Sequence, residues 1–383
     1  MHHDILRAPW PRRGSSTRRT GGIAGLVYRS VRGIAGLVTG ALDAGWRAAA
    51  PRLRARESSP AREALLAAVN GVLGDHLAFT GNPLALPMSL RTGGRDLEAT
   101  PAALARAFGT AQGRLVVLVH GLCRNDRHWL RRGHDHGAAL ARDLGVVPIY
   151  VRYNSGLHVS ENGRALADLL EALCAAWPAP LEELALVAHS MGGLVARSAC
   201  HYGRLAHQAW VGALRRIVFL GTPHHGAPLE RGGHGLETLL GAVPYAAALA
   251  RLGRLRSAGI TDLRHGFLLD EDWRGHDRFA RAPVRRRPVP LPAGVECHAL
   301  AATRSARGGL LRDRLLGDGL VAVASALGEH ADPAFDLRLP ESRRFLLRGA
   351  SHLDLLSSRA VYEELRTRLG DGPAARPLSR SGR

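Results

Sequence analysis

Six apolar runs, none longer than nine residues, set the frame of this 383-residue chain. They are LVVLVH (115–120), VVPIYVRY (146–153), LALVAHS (184–190), IVFLGTP (217–223), VECHALAAT (295–303) and FLLRGASH (345–352). Their apolar residues follow one another without polar alternation, which is the pattern of strands buried on both faces. Helical spacing appears between them: Leu166, Leu169, Leu170 and Leu173 share one face, as do Leu194, Val195 and Ser198. Strand alternating with helix predicts a mostly parallel, doubly wound α/β sheet, with the working loops at the C-terminal ends of the strands.

The rest of the chain is arranged around that unit. Residues 1–56 form an Arg-rich leader in which GIAGLV (22–27) returns at 33–38, an eleven-residue spacing that keeps both copies near one helical face. The leader is expected to be helical or partly disordered. A helix here would dock on the main domain, or lie on an anionic membrane surface as a peripheral contact. Residues 57–111 read as a helix followed by a loop containing Asn82-Pro83 and Gly93-Gly94. The main domain spans 112–370. Within it, about 227–294 breaks the rhythm: an apolar helical pattern (Leu236, Leu239, Leu240, Val243) stops at Pro244 and gives way to RAPVRRRPVPLP. That insertion is expected to sit over the sheet as a cap. The tail 371–383 reads as disordered.

Composition narrows the class without naming a partner. The 52 basic residues against 33 acidic give a formal charge of +19, yet every basic residue is Arg and no nucleic-acid motif accompanies them. A hydrophobic content of 46% excludes a fully disordered chain, and no apolar run approaches the length of a membrane span. The start has arginines but no apolar stretch directly after them, so a cleaved signal peptide is not expected and the localisation is read as cytoplasmic, at most peripheral to a membrane. Cys123, Cys174, Cys200 and Cys297 are scattered, which fits neither a zinc site nor a disulfide framework.

The chemistry concentrates in AHSMGG (188–193), between an apolar run and a helical pattern. This is a nucleophile elbow in its required context: a sharp strand-to-helix turn projects Ser190 above the sheet, and small residues on either side let strand and helix approach. Ala188 stands where glycine is usual, and a methyl group still fits. A serine needs a base and an acid that orients the base, in the chain order Ser, acid, His. Asp318 in LLGDGLV and His352 in RGASHLDLL supply them, with Asp313, Asp332, Asp336 and Asp354 as competing acids. Asp313 sits among arginines, and Asp354 reads as a helix-start residue. The amides of Leu122, after His120-Gly121, and of Met191 are the natural oxyanion hole. His120 reads as a loop brace, His189 as packing beside the elbow. His224 and His225 read as structural, because neighbouring residues cannot share a helical face and no third metal ligand is spaced nearby.

Taken in order, VVLVHGL, ALVAHSMGG, FLGTPHHGAP, GDGLV and SHLDLL resemble the α/β-hydrolase superfamily, and within it the lipase-like branch related to the GPI inositol-deacylase catalytic domain. The resemblance covers about 112–370 and implies hydrolysis of carboxylic esters, lipid-like or medium-chain acyl esters above all, with no cofactor and no metal. An acyltransferase using the same triad, and a noncatalytic membrane-surface binding protein on a hydrolase fold, are the alternatives to a serine esterase or lipase.

Overall fold

A strand that is apolar on both faces needs a layer of side chains above and below it. The computed structural model, which describes residues 59–109, 112–227, 257–275, 286–306 and 317–370, supplies both layers. The strands are β1 (Ser89–Thr92), β2 (Arg95–Leu97), β3 (Arg114–Val119), β4 (Val147–Arg152), β5 (Glu183–His189), β6 (Leu214–Leu220), β7 (Glu296–Thr303) and β8 (Arg344–Arg348). The helices of two turns or more are α1 (Pro60–Phe79), α2 (Pro101–Phe108), α3 (His136–Leu144), α4 (Val159–Ala176), α5 (Met191–Leu205), α6 (Ala258–His265) and α7 (Arg359–Gly370).

The eight strands form one sheet in the order β2-β1-β4-β3-β5-β6-β7-β8. β1 is antiparallel to β2 and β4, and every other pairing is parallel. Alternate residues of each strand feed opposite layers. Val117 and Val119 of β3, Leu186 of β5 and Phe219 of β6 join Leu166, Leu170, Leu194 and Val195 of α4 and α5. Val116, Leu118, Val187 and Val218 join Leu140 of α3 and Val361 and Leu365 of α7. The absence of polar alternation in the sequence is therefore the signature of this double cover. Together the sheet order, the two helical layers and the strand-to-helix turn at Ser190 make this an α/β-hydrolase fold.

The connection order places the site. The chain runs from β3 to β4 on one side, then crosses to β5 on the other side of β3, so the strand order reverses between β3 and β5. Loops leaving the C-terminal ends of two strands at such a switch point diverge and open a crevice. Here those loops carry His120-Gly121-Leu122 and Ser190-Met191.

Three parts differ from the sequence reading. The stretch expected as a loop before 112 contains the hairpin β1–β2, turned by Gly93 and Gly94 at φ 54° and 73°; strands of four and three residues, SLRT and RDL, are too short and too polar to show a period. Part of the expected cap, residues 257–275, is fastened to the core: Ser257 Oγ donates to Gly71 O at 2.6 Å, His158 Nδ1 meets Asp262 at 3.0 Å, and Ile260 and Leu263 join the α4–α5 cluster. Third, Asp354, read as the start of a helix, lies in a separate 3₁₀ turn, His352–Leu356, ahead of the helix that follows. The leader, the apolar pattern at Leu236–Val243, Asp313 and the tail lie outside the described residues. No helix among the described residues is long and apolar enough to cross a membrane.

Candidate active site

β5 ends at His189 and α5 begins at Met191, which leaves Ser190 alone in the turn. Its backbone, φ 55° and ψ −126°, lies where a side chain is strained, at an order of 1–3 kcal/mol. The surroundings hold it there. Ser190 N donates to Leu220 O at 2.8 Å, and Gly193 N donates back to Ser190 O at 3.0 Å. The helix start is pressed so closely on β3 and β6 that a Cβ on Gly192 would lie 2.4 Å from Val119 O, and one on Gly193 1.9 Å from Thr222 Oγ1. Glycine at both positions is thus a requirement of the turn, not a by-product of composition.

The loop after β7 carries Asp318 between Gly317 and Gly319, at φ 46° and 97°. Oδ1 of Asp318 accepts the amides of Leu320 and Val321, both at 2.9 Å. Oδ2 faces His352 Nδ1 at 2.6 Å, with both side chains buried. A carboxylate can only accept here, so Nδ1 carries the proton and Nε2 is left bare. Nε2 is buried and has no hydrogen-bond partner among the described residues. Ser190 and His352 meet consecutive residues at the end of β6: Ser190 is tied to Leu220, and a Cβ on Gly221 would lie 2.9 Å from His352 Cε1. No hydrogen bond joins Ser190 Oγ to Nε2 in this structure, and such bonds commonly tighten only when substrate is bound.

The other described acids are engaged elsewhere. Asp354 caps its own turn, accepting from Ser351 N and Oγ, and pairs with Arg132 at 2.9 Å. Asp336 accepts from Arg338 N, and Asp332 from Ala334 N, in exposed loops.

Beyond β3, His120 braces the loop. Its Nδ1–H donates to Gly121 O at 2.8 Å, its ring stacks on Tyr153 at 4.2 Å, and Tyr153 Oη donates to its carbonyl at 2.7 Å. Burial pushes its pKa down to about 3, so it is neutral. Gly121 lies against the elbow, where a Cβ would fall 2.9 Å from Ser190 Cβ. Leu122 and Met191 are fully buried, and neither amide finds an acceptor among the described residues. Cys123 follows at φ 57°, its amide held by Ser155 Oγ at 3.0 Å. Sequence reading passed over that brace, since Tyr153-Asn154-Ser155 is a generic strand end in one dimension.

His189 is buried beside the elbow, its ring 4.7 Å from that of His352, and burial lowers its pKa well below the ordinary value. His224 is buried against Phe219, with Nδ1 on Arg197 Nη1 at 3.3 Å, while His225 Nδ1 accepts from Arg286 Nη2 at 2.9 Å. Both rings are thus tied to arginines. No group of three His, Cys, Asp or Glu able to hold a metal occurs among the described residues.

Comparison with known proteins adds the following. The sequence profile of a family described as "Domain of unknown function (DUF7379)" matches residues 91–253. No curated protein matches the chain. Among solved structures, the mature lipase BlEst2 of Bacillus licheniformis is similar at 19% identity and a TM-score of 0.44, covering 74% of this chain and 99% of that one. Lipase B of Aspergillus fumigatus shows 12% identity and 0.44, over 77% and 58%. An esterase of Pyrobaculum calidifontis shows 12% and 0.39, over 68% and 76%.

Proposed function

We propose that this chain is a serine hydrolase of carboxylic esters, with Ser190 as nucleophile, His352 as general base and Asp318 as the acid that orients it. The observation that carries the reading is the buried His352–Asp318 pair, which leaves Nε2 bare, together with a serine held at strained φ whose amide and the His352 ring meet the consecutive residues Leu220 and Gly221. Ser190 Oγ attacks the ester carbonyl carbon while its proton passes to His352 Nε2. The carbonyl oxygen becomes an oxyanion received by the Leu122 and Met191 amides, the second of them at the N-terminus of α5, whose dipole favours negative charge. Collapse breaks the bond to the alkoxide, which takes the proton from Nε2 and leaves as the alcohol. Water repeats the cycle on the acyl-enzyme, and the carboxylic acid departs. Asp318 stays ionised throughout and stabilises the imidazolium. The catalytic unit is 112–370, and lipid-like or medium-chain esters are the favoured substrates, on the strength of the resemblance to the lipase-like branch and the apolar pattern at 236–243.

Labelling with a fluorophosphonate tests this first. Adduct on Ser190 in the wild type, absent from a folded Ser190→Ala variant that has also lost p-nitrophenyl ester turnover, supports the reading. A folded Ser190→Ala variant with most of the wild-type turnover would exclude Ser190 as nucleophile. Preferential transfer to an added alcohol would move the assignment to an acyltransferase with the same three residues.

A further inference from the structure

The turn that carries His352 is gripped by a segment more than two hundred residues away in sequence. Arg131 and His134 pair as an isolated bridge, with Arg132 and Gly133 at φ 50° and 76° between them. From this tight turn, Arg132 Nη1 reaches Asp354 at 2.9 Å, and His136 Nε2 reaches Leu355 O at 2.9 Å. Asp354 and Leu355 are the third and fourth residues of the 3₁₀ turn that His352 opens.

We propose that His136 is a positioning residue for His352: as a buried donor to Leu355 O, it fixes the turn that carries the His352 ring. The inference rests on the reading of His352 as general base. Leu355 O can only accept, so His136 carries its proton on Nε2 and leaves Nδ1 bare. Nδ1 then accepts from His134 Nε2, 2.8 Å away. His134 is set edge-on against Tyr362 at 5.2 Å, and Tyr362 Oη donates to Asp143 Oδ2 with Ala139 O also 3.0 Å away. The donor direction is therefore fixed along the whole chain, from His134 through His136 to Leu355. His136 is fully buried, and burial holds its pKa at about 4, so it keeps that tautomer at neutral pH. The turn is also held by Asp354 accepting from Ser351 and by His352 Nδ1 on Asp318, and to these His136 adds a buried tie from the neighbouring helix layer. His352 N to Asp318 O is long, at 3.3 Å, and the Arg132 side chain is 67% exposed. A shift of about 1 Å in a reacting group is enough to cost on the order of a hundredfold in rate.

The test compares His136→Phe, which keeps the ring and loses the donor, with His136→Gln, whose amide can place N–H near the position of Nε2. His136→Phe should lower kcat for p-nitrophenyl butyrate roughly 10- to 100-fold at unchanged KM, and slow fluorophosphonate labelling in parallel. His136→Gln should recover most of that loss. Assays run well below each variant's melting temperature separate positioning from general unfolding. If His136→Phe fails to fold, His134→Gln, whose amide can keep a donor toward Nδ1, and His134→Leu, which fills the place beside Tyr362 without one, decide by the same kcat-against-KM comparison. Wild-type kcat in the folded variant, or an effect confined to KM, would overturn the proposal. So would His136→Gln as impaired as His136→Phe. A wild-type protein inert to fluorophosphonate would instead refute the hydrolase reading itself.

Discussion

Lowering the pH should unfold this protein well before its carboxylates titrate. His120, His136, His189 and His224 are each at most 2% exposed. Burial holds all four below the ordinary histidine range, His120 at about 3, His136 at about 4, His189 and His224 well below it. In the unfolded chain each takes up its proton near pH 6.5. Their folded values are depressed, so the stability they allow is complete above pH 6.5 and is lost as the pH falls below it, because only the unfolded state then binds the protons. Between pH 7 and pH 5 each histidine costs about 2 kcal/mol, and the four together about 8 kcal/mol. A folded domain has about 5–15 kcal/mol in total. Asp262, whose buried carboxyl is raised, works in the opposite direction and offsets part of the loss. Denaturant unfolding followed by tryptophan fluorescence at pH 7.5, 6.5, 5.5 and 5.0 measures the slope directly. The midpoint should fall steeply below pH 6.5, with these four rings contributing three to four protons to the uptake on unfolding and His128, His225 and His298, also held low by burial, adding to it. A stability that changes by less than about 2 kcal/mol across that range would show that these rings are not held neutral.

Three further outcomes follow from the site. His352→Ala should be nearly as damaging to kcat as loss of Ser190, and Asp318→Asn milder; a folded Asp354→Asn more harmful than Asp318→Asn at equal stability would point to a different acid. Gly221→Ala places a methyl group at φ 59°, 2.8 Å from Leu355 Cδ1 and 2.9 Å from His352 Cε1, and should cost about 1–3 kcal/mol of stability and lower kcat at least tenfold; wild-type values for both would refute the packing argument. Substrate preference should rise from acetyl to medium-chain esters, at about 0.8 kcal/mol for each buried methylene. Leu239→Ser with Leu240→Ser should flatten that rise, whereas a profile peaking at acetate and unmoved by the pair would refute the role given to residues 236–243.

The legible part of this protein was local. Seven consecutive residues of β5, all buried, followed at once by Met191-Gly192-Gly193, state a strand, a turn and a helix within a dozen positions. Asp318 between two glycines is legible for the same reason, since the turn that bares its carboxylate is written in adjacent residues. The hairpin at 89–97 was not, because strands so short gain their stability from β4, not from themselves. The choice of Asp318 over the other acids rests on its own local turn, whereas its contact with His352 depends on β7 and β8 lying side by side. His136 is the extreme case. Nothing near it signals a role, and its hydrogen bond to Leu355 exists because α3 and α7 cover the same face of the sheet. Backbone propensity and apolar period act over a few residues, and so they determine elements and turns. Which side chains meet across 219 positions is decided only when burial of both sheet faces forces distant helices into one layer.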